Sequence, residues 1–175
     1  MKVKLDMNEI LTRAKNIKLV LTDNDGVWTD TGVYYSDAGE IMKRFSIRDG
    51  MGVERLRDCG VETGIITGEV SGSLKKRAEK LQITKLYLGI KDKSKKLDEI
   101  LSETGLKIDE IAYIGDDYND FEVIKVVTQF GLTAAPQDAM PKIIESVTYH
   151  CKMNGGQGAF RDFAEWIITL RSEIS

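Results

Sequence analysis

Residues 17–30 read IKLVLTDNDGVWTD, and the rest of the chain is organised around them. The first five residues form an apolar run with a single lysine, which is typical of a buried strand rather than an amphipathic helix. The run leads to two carboxylates, Asp23 and Asp25, which are followed by Gly26. At the carboxyl end of a parallel strand such acids lie where α/β folds bind ligands, and their hard oxygen atoms suit Mg²⁺. Asp and Gly are also common in turns, so this stretch alone does not separate a magnesium site from a plain turn.

Length and composition indicate an ordinary globular chain. It has 175 residues, of which 42% are hydrophobic and 30% charged, and a net charge of −3 with acidic and basic residues interleaved. We therefore expect one domain over residues 1–175 and no nucleic-acid or membrane partner. Cys59 and Cys151 form no disulfide or metal-binding pattern, and the N-terminus has no long apolar core, so we predict a cytoplasmic protein.

Strand and helix patterns alternate along the chain. Besides the first strand, the sequence predicts strands at 61–66, 85–88, 108–114 and 131–135, the last of the series. It predicts a β-hairpin over 32–45, and helices over 8–15, 51–59, 71–81, 94–104, 120–127, 140–145 and 160–173. This alternation predicts an α/β fold with a doubly wound parallel sheet and right-handed crossovers.

Polar residues follow four of the predicted strands, and they suit phosphoryl transfer. The groups are Asp23 with Asp25, Thr67 with Gly68, Lys93, and Asp116 with Asp117. Because the carboxyl ends of parallel strands share one edge of a sheet, we expect these groups to converge. Asp23 would be the nucleophile and form an aspartyl-phosphate. Asp25 would protonate the leaving oxygen and then activate water.

The remaining groups would handle negative charge. The Thr67 hydroxyl and the Lys93 ammonium would hold the transferring phosphoryl group. Asp116 would complete a Mg²⁺ shell with Asp23 and the backbone carbonyl of Asp25. Each residue also has a simpler explanation, because Thr67 or Asp116 could cap a helix and Lys93 could be a solvated lysine. The order of all four groups along the chain favours the enzyme.

These motifs resemble a known superfamily. DxDG after an apolar strand, then IITG, a lysine and GDDxND resemble the haloacid dehalogenase superfamily of phosphohydrolases. Within it, the chain more closely resembles the capless phosphatases for 3-deoxy-2-keto sugar acid phosphates. The segments that carry this resemblance are LTDNDGVWTDTGVYY, FSIRDGMGV, IITGE, RAEKLQI, AYIGDDYND and GGQGAFRDF. The resemblance covers the chain from Ile17 on. It implies a Mg²⁺-dependent homotetramer in which the hairpin builds a central barrel and a neighbouring subunit covers the active site. The interval from Gly26 to Thr67 leaves no room for a cap domain of typical size.

The resemblance also implies which residues contact the substrate. Besides Asp25 and Lys93, they are Ser46, Ile47, Arg48, Asp49, Gly50, Gly68, Glu69, Arg77 and Lys80. Arg48 and Arg77 suit bidentate binding of a carboxylate or a phosphate, although both could also be ordinary surface charges.

Two branches of these phosphatases match different segments. The segment SIRDGMG resembles the octulosonate 8-phosphate branch. The branch for nine-carbon, sialic-type acids is matched instead by Glu69 after the TG, by Lys80 eleven residues further on and by the VWTD around Trp28. Gln157 replaces an arginine often seen in the tail. We expect an octulosonate 8-phosphate phosphatase of lipopolysaccharide synthesis, with a nine-carbon 9-phosphate as the alternative. A general small-substrate phosphatase and a non-catalytic receiver-like domain are further alternatives, but a receiver would not need Asp25.

Overall fold

The structure, a computed structural model, describes residues 5–172. Its strands are β1 Leu19–Thr22, β2 Val33–Ser36, β3 Gly39–Lys43, β4 Glu62–Ile66, β5 Lys85–Tyr87, β6 Ile111–Ile114, β7 Leu132–Ala135 and β8 Tyr149–His150. Its α-helices are α1 Met7–Asn16, α2 Ile47–Asp58, α3 Gly72–Lys80, α4 Lys93–Thr104, α5 Phe121–Thr128, α6 Pro141–Ile144 and α7 Ala159–Ser172. Short 3-10 turns at Ile108–Glu110 and Tyr118–Asp120 precede β6 and α5.

Six strands form one parallel sheet in the order β5-β4-β1-β6-β7-β8. The chain builds outward from β1 in one direction through β4 and β5 and in the other through β6, β7 and β8. The order therefore reverses beside β1, and ligands bind at such a switch point in doubly wound sheets. The predicted fold class is confirmed, and so is the hairpin, which is the separate antiparallel pair β2–β3.

Helices cover both faces of the sheet. One core lies against α1, α2, α3 and α7, and the other against α4, α5 and α6. Strand β1 is buried along its whole length and supplies Val20 to the first core and Leu19 and Leu21 to the second. Successive side chains of a strand point to opposite faces, so the central strand needs apolar residues at every position.

The start of α2 and the number of strands differ from the sequence prediction. Helix α2 begins four residues before the predicted Met51, because Ser46 caps it by accepting the backbone N–H of Arg48 at 3.1 Å. The prediction that β7 is the last strand is wrong, since β8 pairs with it in parallel. Two residues are too few to show an alternating pattern. The predicted end of α7 at Glu173 lies outside the described residues.

Among residues 5–172 we find no helix that combines the length and the apolar character needed to cross a lipid bilayer.

Candidate active site

Asp23 follows β1 directly and lies buried at the switch point of the sheet. Its Oδ1 accepts the backbone N–H of Asn24 at 2.7 Å and lies 2.9 Å from Nζ of Lys93. Burial, followed by the charge of Asp120, raises the pKa of Asp23 to about 7, and the nearby ammonium only partly opposes this. A carboxylate in this position needs more positive charge than Lys93 alone supplies.

Lys93 opens α4 and lies between two carboxylates. Its side chain is 2% exposed, and Nζ donates to Oδ1 of Asp120 at 2.6 Å. Burial by itself lowers the pKa of Lys93, but the charges of Asp23 and Asp120 raise it above its usual value. Lys93 is therefore a buried cation between two acids and not a solvated lysine.

Asp120 holds this arrangement together, although sequence reasoning left its role open. Its Oδ1 also accepts the hydroxyl of Tyr113 at 2.6 Å. Its Oδ2 accepts the backbone N–H groups of Asp116 at 3.0 Å and Asp117 at 3.4 Å. Both oxygens are thus engaged by the protein, and Asp120 fixes Lys93 against the loop that follows β6. Its place at the end of GDDYND, four residues after Asp116, is the signal that could have indicated this role.

Asp116 brings the loop after β6 against the loop after β1. A Cβ on Gly26, where φ is +87°, would lie 1.9 Å from Oδ2 of Asp116, so only glycine allows this approach. Oδ1 of Asp116 is buried and has no hydrogen-bond partner in the described part of the chain. Burial and the charges of Asp23, Asp120 and Asp117 raise the pKa of Asp116 to about 8.

The acids fit a divalent cation. Carboxylate oxygens of Asp23, Asp116 and Asp120 all lie within 4.8 Å of one another. Asp120 is already satisfied by its hydrogen bonds, whereas Oδ1 of Asp116 has no partner among residues 5–172. Asp23 and Asp116 are therefore the side chains best able to bind a cation. A partnerless buried carboxylate oxygen is costly, and a cation with oxygen ligands removes that cost.

Asp25 presents two different oxygens. Oδ1 accepts a hydrogen bond from Nζ of Lys43 at 2.6 Å, and the Thr29 hydroxyl lies 3.4 Å away. Oδ2 is buried and has no partner among residues 5–172. Lys43 was not identified from the sequence, although it lies on the predicted hairpin that follows this loop.

A cavity of about 230 Å³ opens over these acids. It is lined by Asp23, Asp25, Thr31, Thr67, Gly68, Glu69, Asp116, Asp117 and Asn119. The structure therefore brings together seven of the residues singled out from the sequence, with Lys93 directly against Asp23. Thr31 and Asn119 also line it and were not assigned; both lie in loops, where no periodic pattern identifies them.

The predicted substrate residues on α2 and α3 do not line this cavity. Ile47, Arg48 and Lys80 are exposed, and Ser46 caps α2. The guanidinium of Arg77 donates to the carbonyl of Ser46 at 2.9 Å and occupies the space beside Gly50. In residues 5–172 these side chains therefore lie outside the cavity lining, and their contact with substrate stays a prediction.

Asp49 binds the backbone at the start of α7. It is fully buried, and its two oxygens accept the backbone N–H groups of Gly158 and Arg161, each at 3.1 Å. Burial raises the pKa of Asp49 to about 6 against the effect of these bonds. The side chain therefore fixes the start of α7 and is not part of the cavity lining, and its predicted contact with substrate stays a prediction.

The glycine-rich segment 154–158 packs beneath the loop after β1. The N–H of Gly156 donates to the carbonyl of Val27 at 2.9 Å, and a Cβ on Gly155 would lie 1.9 Å from the carbonyl oxygen of Gly26. Gln157 is exposed. The segment thus supports the catalytic loop of its own chain.

Comparison with known proteins agrees with this geometry. A family model for haloacid dehalogenase-like hydrolases matches residues 75–161. The 3-deoxy-D-manno-octulosonate 8-phosphate phosphatase KdsC of Yersinia pestis is 35% identical over 167 residues, which are 95% of this chain and 88% of that protein. A solved structure of the 3-deoxy-D-manno-octulosonate 8-phosphate phosphatase from Moraxella catarrhalis, in complex with a magnesium ion, a phosphate ion and a KDO molecule, matches with a TM-score of 0.88. It is 31% identical, and the match covers 96% of this chain and 95% of that one. The cobalt-bound enzyme of Haemophilus influenzae gives a TM-score of 0.86 at 32% identity over 91% of this chain and 92% of that one.

The parallel sheet and the acids at its switch point define the class of haloacid dehalogenase-like hydrolases. Within that class, the chain belongs to the 3-deoxy-D-manno-octulosonate 8-phosphate phosphatase family. The resemblance stated from the motifs is confirmed, and the protein is a phosphatase, a phosphoric monoester hydrolase. This decides against the receiver-like alternative.

Proposed function

We propose that the chain removes the terminal phosphate from a 3-deoxy-2-keto sugar acid, with 3-deoxy-D-manno-octulosonate 8-phosphate as the first choice. The observation that carries the proposal is the meeting of Asp23, Asp25 and Asp116 around one cavity, with Lys93 against Asp23. Relatives named for this substrate match along 95% of the chain, which supports the choice of sugar acid.

Asp23 would attack the phosphorus atom and form an aspartyl-phosphate. Lys93 holds the attacking carboxylate in place through Oδ1 and is itself held by Asp120. The alkoxide of the sugar would leave with a proton from Oδ2 of Asp25, the oxygen that has no other partner in residues 5–172. Asp25 would then take a proton from the water that hydrolyses the aspartyl-phosphate. The Thr67 hydroxyl, from another residue that lines the same cavity, would bind a phosphoryl oxygen.

Asp23, Asp116 and the backbone carbonyl of Asp25 would hold a magnesium ion. When bound, the ion supplies positive charge that offsets the phosphate and the acids. The raised pKa values of Asp23 and Asp116, about 7 and about 8, support this assignment because burial and neighbouring acids disfavour uncompensated negative charge there.

The remaining parts of the substrate site would come from an assembly, a homotetramer in the cytoplasm. The exposed apolar side chains of the hairpin support this, because such a cluster usually marks an interface; they are Tyr34, Tyr35, Ile41 and Met42. A neighbouring subunit over the cavity would exclude water and could complete the binding of the sugar acid with Arg48, Arg77 and Lys80. A sedimentation experiment that gives the mass of a monomer would contradict the assembly.

Glu69 bears on the nine-carbon alternative. It is exposed at the mouth of the cavity, where its carboxylate could accept hydrogen bonds from sugar hydroxyls but would repel a nearby substrate carboxylate. Comparing kcat/KM on the eight-carbon and nine-carbon phosphates separates the two substrates. A clear preference for the nine-carbon ester would replace our first choice.

The covalent route is tested with Asp23→Asn. We expect no release of inorganic phosphate from a variant with unchanged circular dichroism, because the nucleophile is absent. Full activity, with mass spectrometry showing the asparagine intact, would exclude the aspartyl-phosphate.

A further inference from the structure

Lys43 is one of two lysines that are buried in the described chain, and both lie beside an aspartate of the active-site loop. It is the last residue of β3 and the only buried residue of that strand. A buried ammonium needs a carboxylate partner, and Lys43 has two: Oδ1 of Asp25 at 2.6 Å and Oε2 of Glu40 at 3.7 Å.

The ion pair is part of a chain of contacts that joins three elements. Glu40, at the start of the same strand, accepts a hydrogen bond from the Ser71 hydroxyl at 2.5 Å. Ser71 in turn caps α3 by accepting the N–H of Leu74. The hairpin is therefore tied at one end to α3 and at the other to the loop after β1, so Lys43 has little freedom to move away from Asp25.

This geometry distinguishes the two oxygens of Asp25. Lys43 donates to Oδ1, while Oδ2 has no partner in residues 5–172. An oxygen that accepts from an ammonium is a poor place for a proton, so a protonated Asp25 must carry its proton on Oδ2. Lys43 is absent from the lining of the cavity, so it does not reach the phosphate itself.

We propose that Lys43 is a positioning residue for the phosphatase reaction: by holding Oδ1, it turns Oδ2 of Asp25 toward the leaving oxygen of the substrate. The proposal rests on the role of Asp25 as general acid in the proposed function. It assigns the hairpin a part in the chemistry of its own chain. A purely structural ion pair would instead only anchor the hairpin.

The test uses two substrates that differ in their need for an acid. The sugar alkoxide of 3-deoxy-D-manno-octulosonate 8-phosphate must be protonated as it leaves, whereas nitrophenolate leaves p-nitrophenyl phosphate without a proton. The value of kcat/KM covers the steps up to departure of the leaving group. For Lys43→Met we expect kcat/KM to fall about 100-fold on the sugar phosphate and less than about 3-fold on the nitrophenyl ester, because general acid catalysis contributes 10²–10⁴-fold. Lys43→Arg should recover part of the loss.

Arg44→Met is the matched control, since it removes an exposed pair with Asp30 from the adjacent hairpin residue without touching Asp25. We expect it to leave both values unchanged. Equal losses on both substrates with Lys43→Met, or no loss on the sugar phosphate, would overturn the proposal. The ratio of kcat/KM on the two substrates does not depend on the folded fraction, so a poorly folding Lys43→Met variant still gives an answer. If Lys43→Met does not fold at all, Lys43→Gln takes its place.

Asp25→Asn separates this proposal from the one it rests on. If that variant shows the same selective loss and Lys43→Met does not, the positioning role fails alone. If Asp25→Asn lacks the selective loss, the general-acid assignment itself fails.

Discussion

The buried carboxylate of Asp49 gives a prediction whose size follows from the structure. Its pKa rises from 3.8 to about 6 on folding because burial outweighs the two backbone hydrogen bonds that it accepts. The folded state therefore holds this proton more tightly than the unfolded state. Unfolding releases it between about pH 4 and pH 6, so the free energy of unfolding falls as the pH rises through that window.

The full effect is about 3 kcal/mol, at about 1.4 kcal/mol for each pH unit between the two pKa values. About 2 kcal/mol of it falls between pH 4.5 and pH 7. Asp49→Asn keeps the shape of the side chain and cannot ionise. We therefore expect the variant to gain about 2 kcal/mol relative to the wild type across that range, measured by urea unfolding with an unchanged m-value.

Kinetics of the same variant tests whether Asp49 supports α7 or contacts the substrate. Because the side chain binds the start of α7 and does not line the cavity, KM for the sugar phosphate should change less than about 3-fold. A constant difference in stability from pH 4.5 to pH 7 would refute the argument from burial. A large rise in KM together with that result would instead place Asp49 at the substrate.

Three further predictions concern the acidic cluster. Chelation should abolish activity, and added Mg²⁺ should restore it. Calorimetry should show Mg²⁺ binding more tightly as the pH rises from 6 to 9, because Asp23 and Asp116 must lose protons with pKa values of about 7 and about 8 to bind the ion. Activity that does not change with chelator would remove the metal assignment. Lys93→Met should lower the free energy of unfolding by about 3–5 kcal/mol, since it leaves two buried acids unpaired, whereas exposed Lys95→Met should change it by less than about 0.5 kcal/mol; equal urea midpoints would contradict this. Gly26→Ala should reduce kcat at least about 100-fold, because the added methyl group displaces Asp116. Gly39 also has a positive φ but has open space around it, so Gly39→Ala should lower only the stability. Similar kcat values in the two variants would show that the close approach of Gly26 to Asp116 does not matter for catalysis.

The doubly wound parallel sheet was predictable because its signals are local. Each buried strand is a short apolar run that stops at a polar residue, and each crossover helix shows apolar residues at helical spacing. Once Asp23, Thr67, Lys93 and Asp116 were assigned to strand ends, the topology of a parallel sheet required them to meet. The carboxylate pair and the lysine could thus be predicted to converge without coordinates.

Other features depend on which group a side chain contacts, and no local pattern records that. Asp49 and Asp25 are both aspartates in polar stretches. Asp49 nevertheless binds the backbone before α7, 109 residues away in the chain, whereas Asp25 pairs with Lys43 at the end of the hairpin. Asp120 accepts the hydrogen bond from Lys93 only because α4 and the loop after β6 pack together. The sequence alone determined which residues could carry the chemistry, since strand ends and residue types are local properties. The tertiary structure decided which of them face the cavity and which hold the others in place, because burial and long-range contacts arise only when the chain is packed.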